Sequence, residues 1–516
     1  MSARVIYGVS DLLFWYIFSG FLLAVLAKEC YNPNLQASLS DGESVSDPNN
    51  RAFQRFPLES LSSLSYSEFT EMQHVNFPDY RVRIKRTRFC DTTVNAYTGY
   101  IDIYAVRHMF FYFFESRSSP AQDDVVLWMN GGPGCSSALG LFFELGPCKL
   151  VSNGSDIATE FNPESWNTDA NIFLIDQPIG TGFSYSEGQP VVSTAEETAQ
   201  DLFAFLSIFF ANAKEFQGRR LHLAGESYAG RLIPVMASTI HDRNFELEKA
   251  GLEKINLISI MMGDGLTDWL TMIPSYYDME CTPASVPPVL PIQTCVKIKS
   301  VLARCEKWIQ ESCVDVFDSI SCGAATQFCA EQIGLPFNST GLNAWDMTKK
   351  CEGGKGDDCY PETRFITEFL SKSSVQSTLG VDPAVSNYSF CNLDIMSAFS
   401  QTQDSSHPST FHVAALLERG IRVLVYVGEY DWLCNWIGQE RWVHRMEWSG
   451  REAFVNKEME DWVVDANEER KKSGRMKSAN GLTFLIVDKA GHMVPHDKPV
   501  EALNLLKRWI TETGDL

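Results

Sequence analysis

Three short segments carry residue types that can make and break covalent bonds. Gly225-Glu-Ser227-Tyr-Ala-Gly230 sets a serine between small residues two positions away on each side, Gly225 and Ala229. A hydroxyl displayed on a tight strand-to-helix turn needs such neighbours, and the segment departs from the strict Gly-x-Ser-x-Gly pattern by one methyl group. Gly428-Glu-Tyr-Asp431 and Ala490-Gly-His492 follow further along, so the chain order is Ser, Asp, His, the order of α/β-hydrolase triads. Serine alone is a poor nucleophile. An imidazole can take its proton near neutral pH, and a carboxylate can fix the imidazole tautomer and stabilise the imidazolium that forms. Singly, Asp431 reads as a solvated turn aspartate and His492 as a satisfied loop histidine; at three strand ends in this order, Ser227, Asp431 and His492 read together as a catalytic set.

Such chemistry also needs N–H donors for the developing oxyanion. One is the residue after the nucleophile, Tyr228, and the other is expected from a glycine-rich loop after an earlier strand. Asn130-Gly-Gly-Pro-Gly-Cys135 is placed for this; it lacks the Gly-Lys-Ser/Thr ending of a phosphate loop. His492 and His496 stand four apart, but Pro495 between them would break a helix interior. No metal and no cofactor is expected.

The elements that must hold these residues are short apolar runs bounded by Gly, Pro, Asn or Asp. They are Val125–Met129, Ile172–Ile175, Leu221–Ala224, Ile255–Ile260, Val423–Val427 and Phe484–Val487, each read as a buried strand. Ala199, Leu202, Phe203, Leu206, Phe209 and Phe210 form a helical stripe, as do Ala502, Leu503, Leu506, Trp509 and Ile510. Alternation of the two implies a mostly parallel central sheet with helices on both faces, and ligands gather at the carboxyl ends of such strands. From about 267 to 410 cysteines and turn residues dominate, which reads as a lid insertion over the sheet.

The chain has 516 residues, with 43 Lys and Arg against 65 Asp and Glu, a net charge of −22. That disfavours a nucleic-acid binder. With 45% hydrophobic and 21% charged residues, neither disorder nor a multi-spanning membrane protein fits. Ten of the 14 cysteines fall between Cys281 and Cys434, as in disulfide-stapled secreted proteins. Arg4 precedes an apolar run, Leu12 to Ala27, shorter than the about 20 residues of a bilayer span. Residues 1–27 therefore read as a signal peptide, with no stable membrane insertion once it is removed. Asn153, Asn338 and Asn387 head glycosylation sequons. Residues 28–80 read as a propeptide, followed by an exposed basic stretch, Arg81 to Arg88, as a processing region; a solvated linker is the alternative. Residues 81–516 then form the catalytic domain.

The motifs resemble those of the serine carboxypeptidases, especially the carboxypeptidase Y group. They are Trp128–Ser137 with Gly140–Pro147, Asn171–Tyr185, Gly225–Gly230, Asp431–Gly438 and Gly491–Pro495, together spanning about Tyr97 to Ile510. The resemblance implies an α/β-hydrolase fold and hydrolysis of C-terminal peptide bonds at acid pH through an acyl-enzyme. It implies the triad above, an oxyanion hole of the Gly132 and Tyr228 N–H groups, and recognition of the substrate's free C-terminal carboxylate by Asn130, Gly131 and the carboxyl pair Glu144 and Glu226. Two such acids can accept a third carboxylate only when protonated. It further implies the disulfides Cys135–Cys391, Cys281–Cys295, Cys305–Cys329, Cys313–Cys322 and Cys351–Cys359. Cys434 is implied as an unpaired thiol lining one pocket and Met493 as lining the other; Cys30, Cys90 and Cys148 receive no partner. Peptide or protein substrates and a vacuole- or lysosome-like compartment, or secretion, complete the expectation, with oligomeric state left open. Rival functions are a carboxypeptidase-like acyltransferase, disfavoured by Glu226 where Asp would be usual, and a non-catalytic protective or chaperone partner. Arg231-Leu232, Asp264 and His496-Asp-Lys498 depart from the family pattern.

Overall fold

The computed structural model describes residues 57–154, 156–188, 191–351, 359–385, 388–466 and 469–511. The expected signal peptide, Cys30, the propeptide up to residue 56 and Asn387 lie outside them. The strands that matter are β1 (Thr70–Met72), β2 (Tyr80–Thr87), β3 (Ala96–Ile103), β4 (Arg107–Phe114), β5 (Val125–Met129), β6 (Asn171–Ile175), β7 (Leu221–Glu226), β8 (Leu257–Gly263), β9 (Arg422–Gly428), β10 (Glu460–Ala466), β11 (Glu469–Ala479) and β12 (Leu482–Val487). They lie side by side in the order β1-β2-β3-β4-β6-β5-β7-β8-β9-β12-β11-β10. The six strands from β6 to β12 across the centre are parallel. Both flanks are antiparallel.

The central strands are apolar without a break because both faces are covered. In β5, Val125, Leu127 and Met129 join one core and Val126 and Trp128 the other, the two-residue period of a strand. Helix α1 (Ala195–Asn212), capped by Thr194, buries the expected stripe of Leu202, Phe203, Leu206 and Phe209. It covers the first core with α2 (Ala229–Lys249), and the closing helix Pro499–Ile510 covers the second through Leu505, Leu506 and Trp509.

Between β8 and β9 the chain forms α3 (Trp269–Cys281), α4 (Ile292–Ile309), α5 (Ser319–Cys329) and further short helices. Their own core contains Met272, Tyr276, Ile333 and four half-cystines, Cys305, Cys313, Cys322 and Cys329. All five expected disulfides are present, and a sixth joins Cys90 to Cys148.

The basic stretch is a correction. Arg81 to Thr87 is not exposed linker but lies in β2, paired along its length with β3. Two of its charges are met inside the fold: Arg83 bonds Asp102 and Asp382 at 2.6 and 2.8 Å, and Lys85 reaches the carbonyls of Tyr66 and Thr378. Ahead of it, Leu61, Leu64 and Met72 are buried in the main core, and Leu58 N–H donates to Asn212 O. Among the described residues no helix is long and apolar enough to cross a membrane.

Candidate active site

Ser227 stands between β7 and α2 with φ at +63°, a left-handed conformation rare for a residue with a side chain. The strain is held in place from several sides. Ser227 N–H donates to Gly263 O, and its carbonyl accepts from Gly230 and Leu266. The turn closes only because its neighbours are small: a Cβ on Gly225 would lie 2.3 Å from Met129 O, and one on Gly230 2.6 Å from Gly265 Cα. Such a nucleophile elbow lifts the hydroxyl to the top of the sheet.

Asp431 follows β9 and is fully buried. Its Oδ1 accepts from Leu433 N–H at 2.9 Å, and its Oδ2 accepts from Cys434 N–H at 3.2 Å and bonds His492 Nδ1 at 2.8 Å. The imidazole is also tied by its backbone, since His492 N–H donates to Trp345 O at 2.7 Å and Gly491 N–H to Asp497 Oδ2 at 2.7 Å. With Nδ1 engaged by a carboxylate, Nε2 is the ring nitrogen left to exchange a proton.

Ser227, Tyr228 and His492 open on one cavity of about 180 Å³, which Asn130, Gly131, Gly132, Glu226, Cys434 and Met493 also line. The glycine loop presses close to Ser227: a Cβ on Gly131 would lie 2.4 Å from Tyr228 N and 2.8 Å from Ser227 Cβ. Only glycine there leaves the Tyr228 amide approachable. That amide is at the start of α2, where the helix dipole favours negative charge. Cys135–Cys391 ties the loop to the insertion, reinforced by Ser136 N–H to Phe390 O and Asn392 N–H to Gly134 O.

Glu144 is set back from the cavity. Its Oε1 accepts from Asn130 Nδ2 at 2.9 Å, and its Oε2 is buried and finds no donor besides the neighbouring Glu226 carboxyl. Burial raises the Glu144 pKa, and burial followed by repulsion from Glu144 drives that of Glu226 well above the usual range. The pair thus retains a proton that free carboxylates would lose. Burial and then Asp431 push the Cys434 thiol well up, so this free cysteine is a neutral lining group rather than a thiolate.

Asp431, Cys434 and His492 are the one group among the described residues whose ligand atoms, within 4.8 Å of one another, could hold a metal. The hydrogen bonds above already account for both Asp431 oxygens and for His492 Nδ1. His496 is engaged elsewhere, its ring stacked on Phe143 and Nδ1 bonded to Phe143 O; Pro495 sits at the opening of a short helix, Val494–Asp497, rather than inside one. Of the sequons, Asn153 and Asn338 are exposed.

Sequence reasoning missed several supports. Tyr228 OH donates to buried Asp404 Oδ2 at 2.5 Å, and Arg231 meets the same carboxylate at 3.2 Å, which gives the unusual Arg231 its role. Asp264, fully buried beside Asp431, was visible only as a departure from a pattern.

The family model for serine carboxypeptidases matches residues 88–512. The chain is 38% identical to carboxypeptidase Y of Komagataella phaffii over 464 residues, 89% of this chain and 84% of that one. It is 39% identical to carboxypeptidase Y of Saccharomyces cerevisiae, covering 84% and 79%, and 37% identical to the vacuolar serine-type carboxypeptidase ATG42 of the same yeast, covering 84% and 83%. The crystal structure of Kex1(delta)p, a prohormone-processing carboxypeptidase from Saccharomyces cerevisiae, superposes with a TM-score of 0.69 over 82% of this chain and 94% of that one at 24% identity, a likeness of fold. The chain belongs to the serine carboxypeptidase family, on an α/β-hydrolase fold. It is a serine-type carboxypeptidase.

Proposed function

We propose that the enzyme removes single residues from the C-terminus of peptides and proteins at acid pH, with Ser227 as nucleophile, His492 as general base and Asp431 as its orienting carboxylate. Attack by the Ser227 hydroxyl passes its proton to His492 Nε2. The oxyanion that forms meets the Gly132 and Tyr228 N–H groups. His492 then protonates the leaving amine, and water takes the same path to release the acyl group.

The observation that carries the exopeptidase reading is the buried Glu144 and Glu226 pair behind Asn130. A substrate carboxylate can sit against it only through the retained proton, with Asn130 and Gly131 supplying further donors. Cys434 and Met493 line the pockets on the two sides of the scissile bond. Residues 1–27 act as a signal peptide and 28–80 as a propeptide whose last part, from Leu58, packs on α1 and β2 of the catalytic domain. An acidic compartment such as the vacuole suits the carboxyl pair, and ATG42 is named as vacuolar.

The test is cleavage of the peptide bond in an N-blocked dipeptide, read as release of the amino acid, and in its C-terminally amidated twin, read as release of the amino-acid amide, at acid pH. Faster release from the free acid supports the reading, and equal rates contradict it.

A further inference from the structure

Asp264 follows β8, at the end of a central strand, where it is fully buried. Its backbone is held at φ +44° with N–H donating to Tyr426 O at 2.9 Å. On the side chain, Oδ1 accepts from Gly428 N–H at 2.8 Å. Oδ2 is buried and has no donor in reach; the group within hydrogen-bond range of the carboxyl is Asp431. Two ionised carboxylates cannot bond to each other, and a buried acceptor left without a donor is destabilising. The contact is satisfied only if one of the two carries a proton.

The Asp431 carboxylate already collects two backbone N–H groups and His492, so it is the better-supported anion of the pair. Asp264 has a single donor. The other titratable groups around it are acids: Glu226 at the end of β7, Tyr426 on β9, Cys434 in the loop after it, and Asp497 ahead of the closing helix. His492 is engaged by Asp431 and Lys349 by Asp497. Burial and then Asp431 raise the Asp264 pKa well above the usual carboxylate range.

We propose that Asp264 is a positioning residue which, as the neutral acid, donates a hydrogen bond from Oδ2 to the Asp431 carboxylate and so sets both its orientation and its charge. That donor draws off part of the negative charge which would otherwise stabilise a protonated His492. The base is then free to accept a proton at lower pH, which suits an enzyme working in acid. The inference rests on the reading of Asp431 and His492 as the orienting acid and base.

Two substitutions test it, both compatible with the left-handed backbone. Asp264→Gly removes the carboxyl without strain, and Asp264→Asn keeps both an acceptor for Gly428 and a donor for Asp431. The amidated dipeptide is the substrate, so that the Glu144 and Glu226 pair takes no part. We expect Asp264→Gly to lower kcat by about tenfold and to move the acid limb of kcat upward by about half to one pH unit. Asp264→Asn should restore kcat to within about twofold to threefold of wild type and return the limb to its place. A limb unmoved in Asp264→Gly, or an Asn variant as impaired as the Gly variant, overturns the proposal. Should the Gly variant fail to fold, the Asn variant decides alone: a loss smaller than about tenfold at acid pH supports a neutral donor, and a larger one contradicts it. His492→Ala reports separately on the base, because turnover surviving in that variant defeats the triad whatever the Asp264 variants do.

Discussion

The sheet and the insertion over it face the same cavity but hold their shape by different means. The six central strands are buried on both faces by aliphatic and aromatic side chains from helices distant in sequence. The insertion buries a smaller core in which half-cystines replace much of the aliphatic surface. Four of its disulfides close short loops, with separations of 14, 24, 9 and 8 residues. The groups assigned to bond-making, Ser227, Asp431 and His492, stand at strand ends. The insertion contributes pocket wall, such as Trp269, Thr326 and Met396. Damage to those three strand-end groups should therefore appear in kcat, and damage to the insertion in KM and local stability.

The largest effect belongs to the sheet. Ser227→Ala and His492→Ala should each lower kcat by about 10⁴-fold or more, and the double variant should lose little beyond either single one, because the groups act as a unit. Unchanged far-ultraviolet circular dichroism would show the fold intact. Losses that multiply in the double variant would break the comparison.

In the insertion, replacing Cys305 and Cys329 together by Ala removes a staple across 24 residues, worth about 3 kcal/mol on loop entropy. We expect proteolysis or hydrogen exchange to speed up in α4 and α5 first, with KM rising by more than kcat falls. Equal destabilisation of β5 and β7 would show that the two regions unfold as one.

The two regions also differed in how far the residues alone revealed them. Continuous apolar runs such as Val125–Met129 fell on their strands, because burial on both faces leaves no polar position to blur the pattern. β2 was hidden because Arg83 and Lys85 read as solvated charge, whereas Asp102, Asp382 and carbonyl oxygens far along the chain satisfy them. Spacing cannot reveal that Cys90 meets Cys148. At the site, the order Ser227, Asp431, His492 was legible, since motif and strand end coincide. Asp264 and Asp404 were not, because their importance comes from the group each touches after folding.

A smaller effect concerns pH and stability. The Glu144 and Glu226 pair holds a proton in the folded enzyme above the pH at which free carboxylates lose theirs. The folded state then binds more protons than the unfolded one, so this contribution is complete below the ordinary glutamate pKa and is lost as pH rises through the raised one. Thermal melting should show Tm falling less between about pH 5 and pH 8 in Glu144→Gln/Glu226→Gln than in wild type. A steeper fall in the double variant would exclude a shared proton.

The smallest concerns Cys434, which lines the cavity as a neutral thiol. A mercurial should label it and raise KM for bulky substrates, while maleimide, which needs thiolate, reacts slowly. Mapping of the unreduced protein checks the same residue, and a Cys434 disulfide there would remove it from the pocket.

The central claim is that a protonated carboxyl pair at the sheet end, rather than the insertion, reads the free C-terminus. The direct measurement is KM for an N-blocked dipeptide across the acid-to-neutral range in wild type and in Glu144→Gln/Glu226→Gln, with the amidated twin as control. Wild-type KM for the free acid should climb as the pair loses its proton, the double variant should be nearly flat because an amide donates at every pH, and the twin should be flat in both. A double variant that keeps the wild-type climb for the free acid would contradict the account.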